Sequence, residues 1–216
     1  MNTVLQRTIG YYALAALVLL SFLIPTQLMA QNDNPETAIV GGGCFWCTEA
    51  IFQRVKGVEK VEPGYAGGDV DNPTYKQVCG GHTGHAEVIR IQFDPSVIGY
   101  EEILGIFMST HDPTQLNRQG NDVGTQYRST IMPLNDAQKS TAEKVIAELK
   151  EKGVFGDPIV TTIEPIDEDE DFYVAEQYHH NYYNDNPGQG YCSVIIDPKV
   201  RKFKKQFDSY LKDSAK

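Results

Sequence analysis

Two cysteines three positions apart, Cys44 and Cys47, lie within "GGGCFWC" (41–47), which also holds the chain's only tryptophan, Trp46. A Cys-x-x-Cys pair supports three chemistries. It is the dithiol spacing of a disulfide oxidoreductase. It could be half of a zinc site, with His82 and His85 as the other half. Alternatively, one cysteine attacks a small substrate held by Phe45 and Trp46. The thiolate is the reactive form of a cysteine. Cys44 stands where a strand-like run, "TAIV", turns through glycines into a helix. Free amides and the helix dipole at such a turn favour an anion, so a lowered Cys44 pKa is expected.

Other reactive side chains cluster along the chain. Glu87 follows a glycine-rich stretch that bears Tyr75, and "HDPTQ" (111–115) with "GNDVGTQYRS" (120–129) brings Asp112, Asp122, Tyr127 and Arg128. A carboxylic acid and two phenols suit proton donation to an oxygen atom better than metal binding.

These residues need a scaffold, and its pattern is alternating. Strands are expected at 37–43, 58–68, 85–95, 126–134 and 158–166, the third carrying the β-formers Val88, Ile89, Ile91 and Phe93. Helices are expected at 44–56, 100–111 and 171–185, with another opened by Asn135 and Gln138 and closed at Gly153. The long segment after residue 66 is too rich in unusual residues for a plain connector. A short segment, 191–197, precedes a basic C-terminal helix. Strands interrupted by antiparallel pairs predict an α+β fold, helices packed on one mixed sheet.

The full chain has 216 residues and a formal net charge of −10. Arg7 precedes an apolar run (11–24), followed by Pro25 and "LMA" ending at Ala30: the layout of a secretory signal peptide. The run is shorter than the ~20 residues of a membrane-spanning helix, although an uncleaved anchor through residues 9–24 is the alternative. Export, into a periplasm, is therefore expected. Residues 31–36 form a linker and 37–216 a single domain. Without residues 1–30 the chain loses Arg7 and no acid, which leaves −11. Such a charge argues against nucleic-acid partners, which reward basic patches. The acids of "EPIDEDED" (164–171) read as a solvated loop leading into a helix, without the glycine and spacing of a calcium loop. Four cysteines are too few for a disulfide scaffold of this length.

"GCFWCTEAIFQRVKGV", "GYAGG", "NPTYKQVCGGHTGHAEVIRI", "HDPTQ", "GNDVGTQYRS" and "NPGQGYC", in order from about 37 to 198, closely resemble the A-type peptide methionine sulfoxide reductases. The resemblance implies a two-layer sandwich with a ferredoxin-like core, and reduction of methionine-S-sulfoxide, free or in proteins. It makes Cys44 the nucleophile, Glu87 the acid, Tyr75 and Tyr127 the phenols on the sulfoxide oxygen, and Asp112 a supporting residue. Phe45 and Trp46 would receive the S-methyl group. Cys192 would resolve the sulfenic acid, with Cys47 as the alternative resolver and Cys79 structural. No metal or organic cofactor is implied. A monomer is, together with a thioredoxin-like thiol donor that export would place outside the cytoplasm, tethered to the membrane or free.

Overall fold

The structure is a computed structural model that describes residues 34–215. The expected signal segment lies outside the described residues. Among the described residues no helix is long and apolar enough to cross a membrane.

The strands are β1 (Glu36–Gly42), β2 (Val58–Ala66), β3 (Ala86–Phe93), β4 (Arg118–Gln119), β5 (Asp122–Val123), β6 (Ser129–Met132), β7 (Thr162–Ile163) and β8 (Phe172–Val174). Among them run helices α1 (Phe45–Phe52), α2 (Tyr75–Cys79), α3 (Tyr100–Thr110), α4 (Asp136–Glu151), α5 (Glu168–Asp171), α6 (Tyr182–Asp185) and α7 (Asp197–Gln206). Six strands make a mixed sheet in the order β7-β6-β1-β3-β2-β8, and β4 with β5 makes a separate hairpin. Every pairing in the sheet is antiparallel except β6 with β7. The fold is thus α+β, as the antiparallel pairs interrupting the alternation predict.

The two-residue period of the strands divides the core. Ala38 and Val40 of β1, with Ile89, Ile91 and Phe93 of β3, face one way and meet Phe52 of α1, Phe107 of α3 and Val145 of α4. Ile39, Ala86 and Val88 face the other way, with Met132 and Phe172. Helix α4 starts as expected, with the Asn135 side chain accepting the Gln138 N–H at 2.9 Å. It ends at a left-handed Gly153, φ 58°.

The expected helix over 171–185 is not formed. Phe172–Val174 extends the sheet beside Gly64–Ala66. The Phe172 ring lies over Gly64, where a β-carbon would stand 2.4 Å from it, and receives the Arg90 guanidinium at 4.5 Å. A single turn (Gln177–His179), a left-handed Asn181 and the short α6 follow. Aromatic spacing mimics a helix here, but each side chain is claimed by a different tertiary partner. The expected strand over 158–166 shrinks to Thr162–Ile163, and 192–196 is π-helical, running directly into α7.

Candidate active site

The three glycines bring two backbones and a loop against the Cys44 turn. A β-carbon on Gly41 would meet the Glu87 carbonyl at 2.8 Å, and one on Gly42 the Phe107 ring at 2.9 Å. Gly43 is left-handed (φ 89°), and a β-carbon there would lie 2.6 Å from Gln119. Only glycine combines that dihedral with that approach.

Cys44 caps α1, and its carbonyl accepts the Cys47 N–H at 3.0 Å. Across from it Glu87 of β3 is 1% exposed. Its Oε2 accepts the Phe45 N–H at 3.0 Å. Burial pushes the Glu87 carboxyl up to about 8; that bond opposes the rise, and Asp122 and Cys47 add to it. At neutral pH Glu87 is therefore a protonated acid, a buried proton source.

The expected lowering of Cys44 is not found. Its pKa is raised, first by burial, then by its bond to Cys47 and by Glu87. The helix start cannot offset this, since the Phe45 amide is spent on Glu87 and only the Trp46 amide favours the thiolate. Cys47, hydrogen-bonded to Cys44, is lowered to about 7; Lys199 and the Tyr191 hydroxyl also favour its thiolate, while burial opposes. Cys192 is fully buried in the same cluster, packed with Cys47 and Ala50. All four cysteines are free thiols.

Tyr75 and Tyr127 are both half-buried, and burial raises both phenols, with the charge of Glu87 contributing to each. They are neutral donors near the acid. Phe45 is buried rather than open: its ring packs on His179 at 4.9 Å and Tyr65 at 5.9 Å. Trp46 is half-buried and stacks flat on Tyr182, centroids 3.7 Å apart and planes at 6°. Its Nε1–H donates to His179 Nδ1 at 3.1 Å. His179, lowered to about 4 chiefly by burial, is neutral. Glu176 anchors this wall: it accepts the Tyr65 hydroxyl at 2.8 Å and the Tyr75 N–H at 2.9 Å.

Asp112 stands outside the thiol–acid cluster. Its carboxylate accepts from Thr114 Oγ1 at 2.6 Å, the Thr114 N–H at 3.0 Å and Gln115 Nε2 at 3.0 Å. Its backbone holds Gln119, the residue against Gly43, so its influence on the site is indirect. The aspartate in the cluster is Asp122, whose Oδ2 accepts the Tyr191 hydroxyl at 2.7 Å. Tyr191 Oη in turn lies 4.0 Å from Cys47 Sγ. The sequence places Asp122 in the loop cluster, but the resemblance assigns the supporting role to Asp112. Glu176, His179, Tyr182 and Tyr191 were missed, since nothing in the pattern marks residues of an irregular segment.

The zinc reading loses its donor set. Gly68 N–H donates to His85 Nδ1 at 3.1 Å and His85 Nε2 bonds the Val70 carbonyl at 2.8 Å, so both ring nitrogens are used by the loop. Among the described residues no three His, Cys, Asp or Glu side chains group to hold a metal.

Known proteins resemble this chain in sequence and fold. The family model "Peptide methionine sulfoxide reductase" matches residues 36–211. Peptide methionine sulfoxide reductase MsrA of Deinococcus radiodurans is 58% identical over 190 residues, 86% of this chain and 91% of that protein. MsrA of Nitratiruptor sp. is 61% identical over 176 residues, covering 82% and 98%. Among solved structures, reduced Mxr1 from Saccharomyces cerevisiae is 36% identical with a TM-score of 0.66, over 74% of this chain and 90% of that one. Methionine sulfoxide reductase A of Corynebacterium diphtheriae is also 36% identical, with a TM-score of 0.63 over 71% and 76%.

Proposed function

This chain belongs to the peptide methionine sulfoxide reductase family, and we propose that Cys44 and Glu87 are the pair through which it acts. The enzyme is a peptide-methionine (S)-S-oxide reductase that repairs oxidised methionine with electrons from thiols. The observation that carries our assignment is the buried, protonated Glu87 facing the Cys44 turn.

A sulfoxide oxygen leaves sulfur only when protonated. Glu87 gives its proton to that oxygen while the Cys44 sulfur attacks the sulfoxide sulfur, and the thiol proton restores Glu87. The oxygen then passes to the Cys44 sulfur as the bond between the two sulfurs breaks: methionine departs, reduced by two electrons, and Cys44 keeps the oxygen as a sulfenic acid, oxidised by two. Tyr75 and Tyr127 donate hydrogen bonds to the oxygen as its charge develops. The Trp46 face receives the substrate's methyl and sulfur, a contact worth about 0.3–1.5 kcal/mol. Phe45 backs the site from the core and holds Glu87 through its amide.

The sulfenic acid then condenses with a second thiol, releasing water. The sequence favours Cys192 for this step, yet the bond between Cys44 and Cys47 supports Cys47 as first resolver. We propose a relay: Cys47 forms a disulfide with Cys44, and Cys192, packed beside Cys47, attacks it and frees Cys44. A thioredoxin-like dithiol, free or tethered to the membrane, would reduce the resulting Cys47–Cys192 bond. Residues 1–30 support placing enzyme and donor outside the cytoplasm, and the family resemblance supports a monomer. Active enzyme recovered only from the cytoplasm would overturn that placement.

The test is turnover of both methionine sulfoxide epimers by the purified chain with dithiothreitol. Consumption of the S-epimer alone, lost in Cys44→Ser and strongly reduced in Glu87→Gln, is expected. A Cys44→Ser chain that still turns over would refute the assignment.

A further inference from the structure

Helix α1 carries a second buried carboxyl that the reaction above does not use. Glu49 is 1% exposed and lies three residues after Trp46. No lysine or arginine is among the groups that shift it. Burial pushes its carboxyl up to about 7, with the Asn181 and Tyr182 amides opposing and Asp185 adding to the rise. An isolated buried carboxyl costs stability, so this side chain serves something other than packing.

Its partner is an amide: Oε1 accepts the Asn181 N–H at 2.8 Å, and the neighbouring Tyr182 amide also favours the charged carboxyl. Asn181 is left-handed, φ 54° and ψ 24°. That conformation turns neighbouring amides towards one acceptor, the geometry of an anion-binding nest. Here the nest is filled by the chain's own carboxyl. The next side chain is Tyr182, which lies flat against Trp46. Asn184 adds a weaker tie to the same helix, accepting from Arg54 Nη2 at 2.7 Å and donating to Gln53 Oε1 at 2.8 Å.

We propose that Glu49 is a positioning residue for the substrate pocket: its carboxyl clamps the Asn181–Tyr182 backbone so that Tyr182 fixes the plane of Trp46. The proposal deepens the reading of Trp46 as the methyl-binding face and rests on it. Glu49 touches neither Cys44 nor Glu87 by any bond in the structure, so its loss acts on binding, not on the chemical step.

Trp46 is the chain's only tryptophan, so its fluorescence reports the stack without turnover. The full chain is compared with Glu49→Gln, Glu49→Ala, Tyr182→Leu and the Glu49→Ala/Tyr182→Leu double variant. Acrylamide quenching of Trp46 is expected to increase in Glu49→Ala as in Tyr182→Leu. The KM for methionine-S-sulfoxide with dithiothreitol is expected to rise about five-fold, the scale of one lost aromatic contact, with kcat within about two-fold. The double variant should be no worse than Tyr182→Leu alone, since both act through one contact. Glu49→Gln, which keeps shape and one acceptor, should fall between wild type and Glu49→Ala. It supplies the same readouts if the alanine variant does not fold. Wild-type quenching in a folded Glu49→Gln and Glu49→Ala, additive effects in the double variant, or a loss confined to kcat would overturn the proposal. Increased quenching in Glu49→Ala, beside a wild-type chain that reduces neither epimer, would uphold the clamp and reject the reductase reading.

Discussion

The thiol–acid centre and the wall opposite it are built differently. Cys44 and Glu87 sit on a strand-to-helix turn and the central strand β3, held by glycine contacts and a single amide bond. The wall comes from residues 172–192, where an edge strand, a helical turn, a left-handed asparagine and a π-helical segment follow one another. That wall supplies Glu176, His179, Tyr182, Tyr191 and Cys192. Reacting atoms on regular elements are fixed to fractions of an ångström by the sheet. A wall on irregular backbone is set by individual hydrogen bonds and can move, as passing a disulfide to buried Cys192 requires. Damage to the first region should therefore appear in the chemical step, and damage to the second in binding and recycling.

The largest effects should fall on the first region. Cys44→Ser is expected to abolish methionine formation. Glu87→Gln keeps the amide contact but removes the proton, and should lower kcat with dithiothreitol about 10²–10⁴-fold, the usual weight of a general acid. Steady-state assays of the purified variants check both. A Glu87→Gln effect confined to KM would erase the contrast between the two regions.

The pH dependence follows from the same carboxyl. Glu87 must hold its proton to act, so the rate should fall as pH rises through about 8. Between the ordinary carboxylate range and about 8 the folded chain binds a proton that the unfolded chain has released. This carboxyl therefore costs stability as pH rises, by ~5 kcal/mol at most above pH 8. Glu87→Gln should accordingly melt higher than wild type at pH 9 and nearly level with it at pH 5, which calorimetry would show. Asp122→Asn removes a charge that raises Glu87, so it should shift the alkaline limb of the rate profile to lower pH.

Away from the reacting pair, among the recycling thiols and the Asp112 loop, the expected changes leave chemistry alone. Cys192→Ser should stop at a Cys44–Cys47 disulfide after one turnover, while wild type should end with Cys44 free. Both variants, Cys47→Ser and Cys192→Ser, should keep turning over with dithiothreitol, which reaches a sulfenic acid directly, and lose turnover with a protein dithiol donor. Peptide mapping after a single turnover distinguishes these species. A Cys44–Cys192 bond as the first product in wild type would reverse the proposed order. Smallest of all should be Asp112→Asn. It removes hydrogen bonds within its own loop, and kcat/KM should fall by less than about five-fold.

The same division explains what was legible from the residues. The period of two in "HAEVIRIQF" and the glycine turn before Cys44 locate β1, β3 and α1, hence the thiol and its acid, because local pattern and tertiary environment agree there. Over 171–185 they disagree: the aromatic spacing suggests a helix, but Phe172 is drawn to Gly64 and Tyr182 to Trp46 by contacts more than a hundred residues away in sequence. Asp112 and Asp122 have equal claims as letters, and only the hairpin β4–β5 brings the second against Tyr191. The Cys44 pKa departs from the sequence expectation because its position at a helix start is visible in sequence, whereas its burial and the diversion of an amide to Glu87 are not.

The most direct test is a single turnover without reductant: the reduced full chain is mixed with one equivalent of methionine-S-sulfoxide, in wild type, Cys44→Ser and Glu87→Gln. Methionine and the oxidation state of each cysteine are followed in time by mass spectrometry. The account predicts one methionine per wild-type chain, slow formation in Glu87→Gln and none in Cys44→Ser. Methionine formed by Cys44→Ser, or at the wild-type rate by Glu87→Gln, would contradict it.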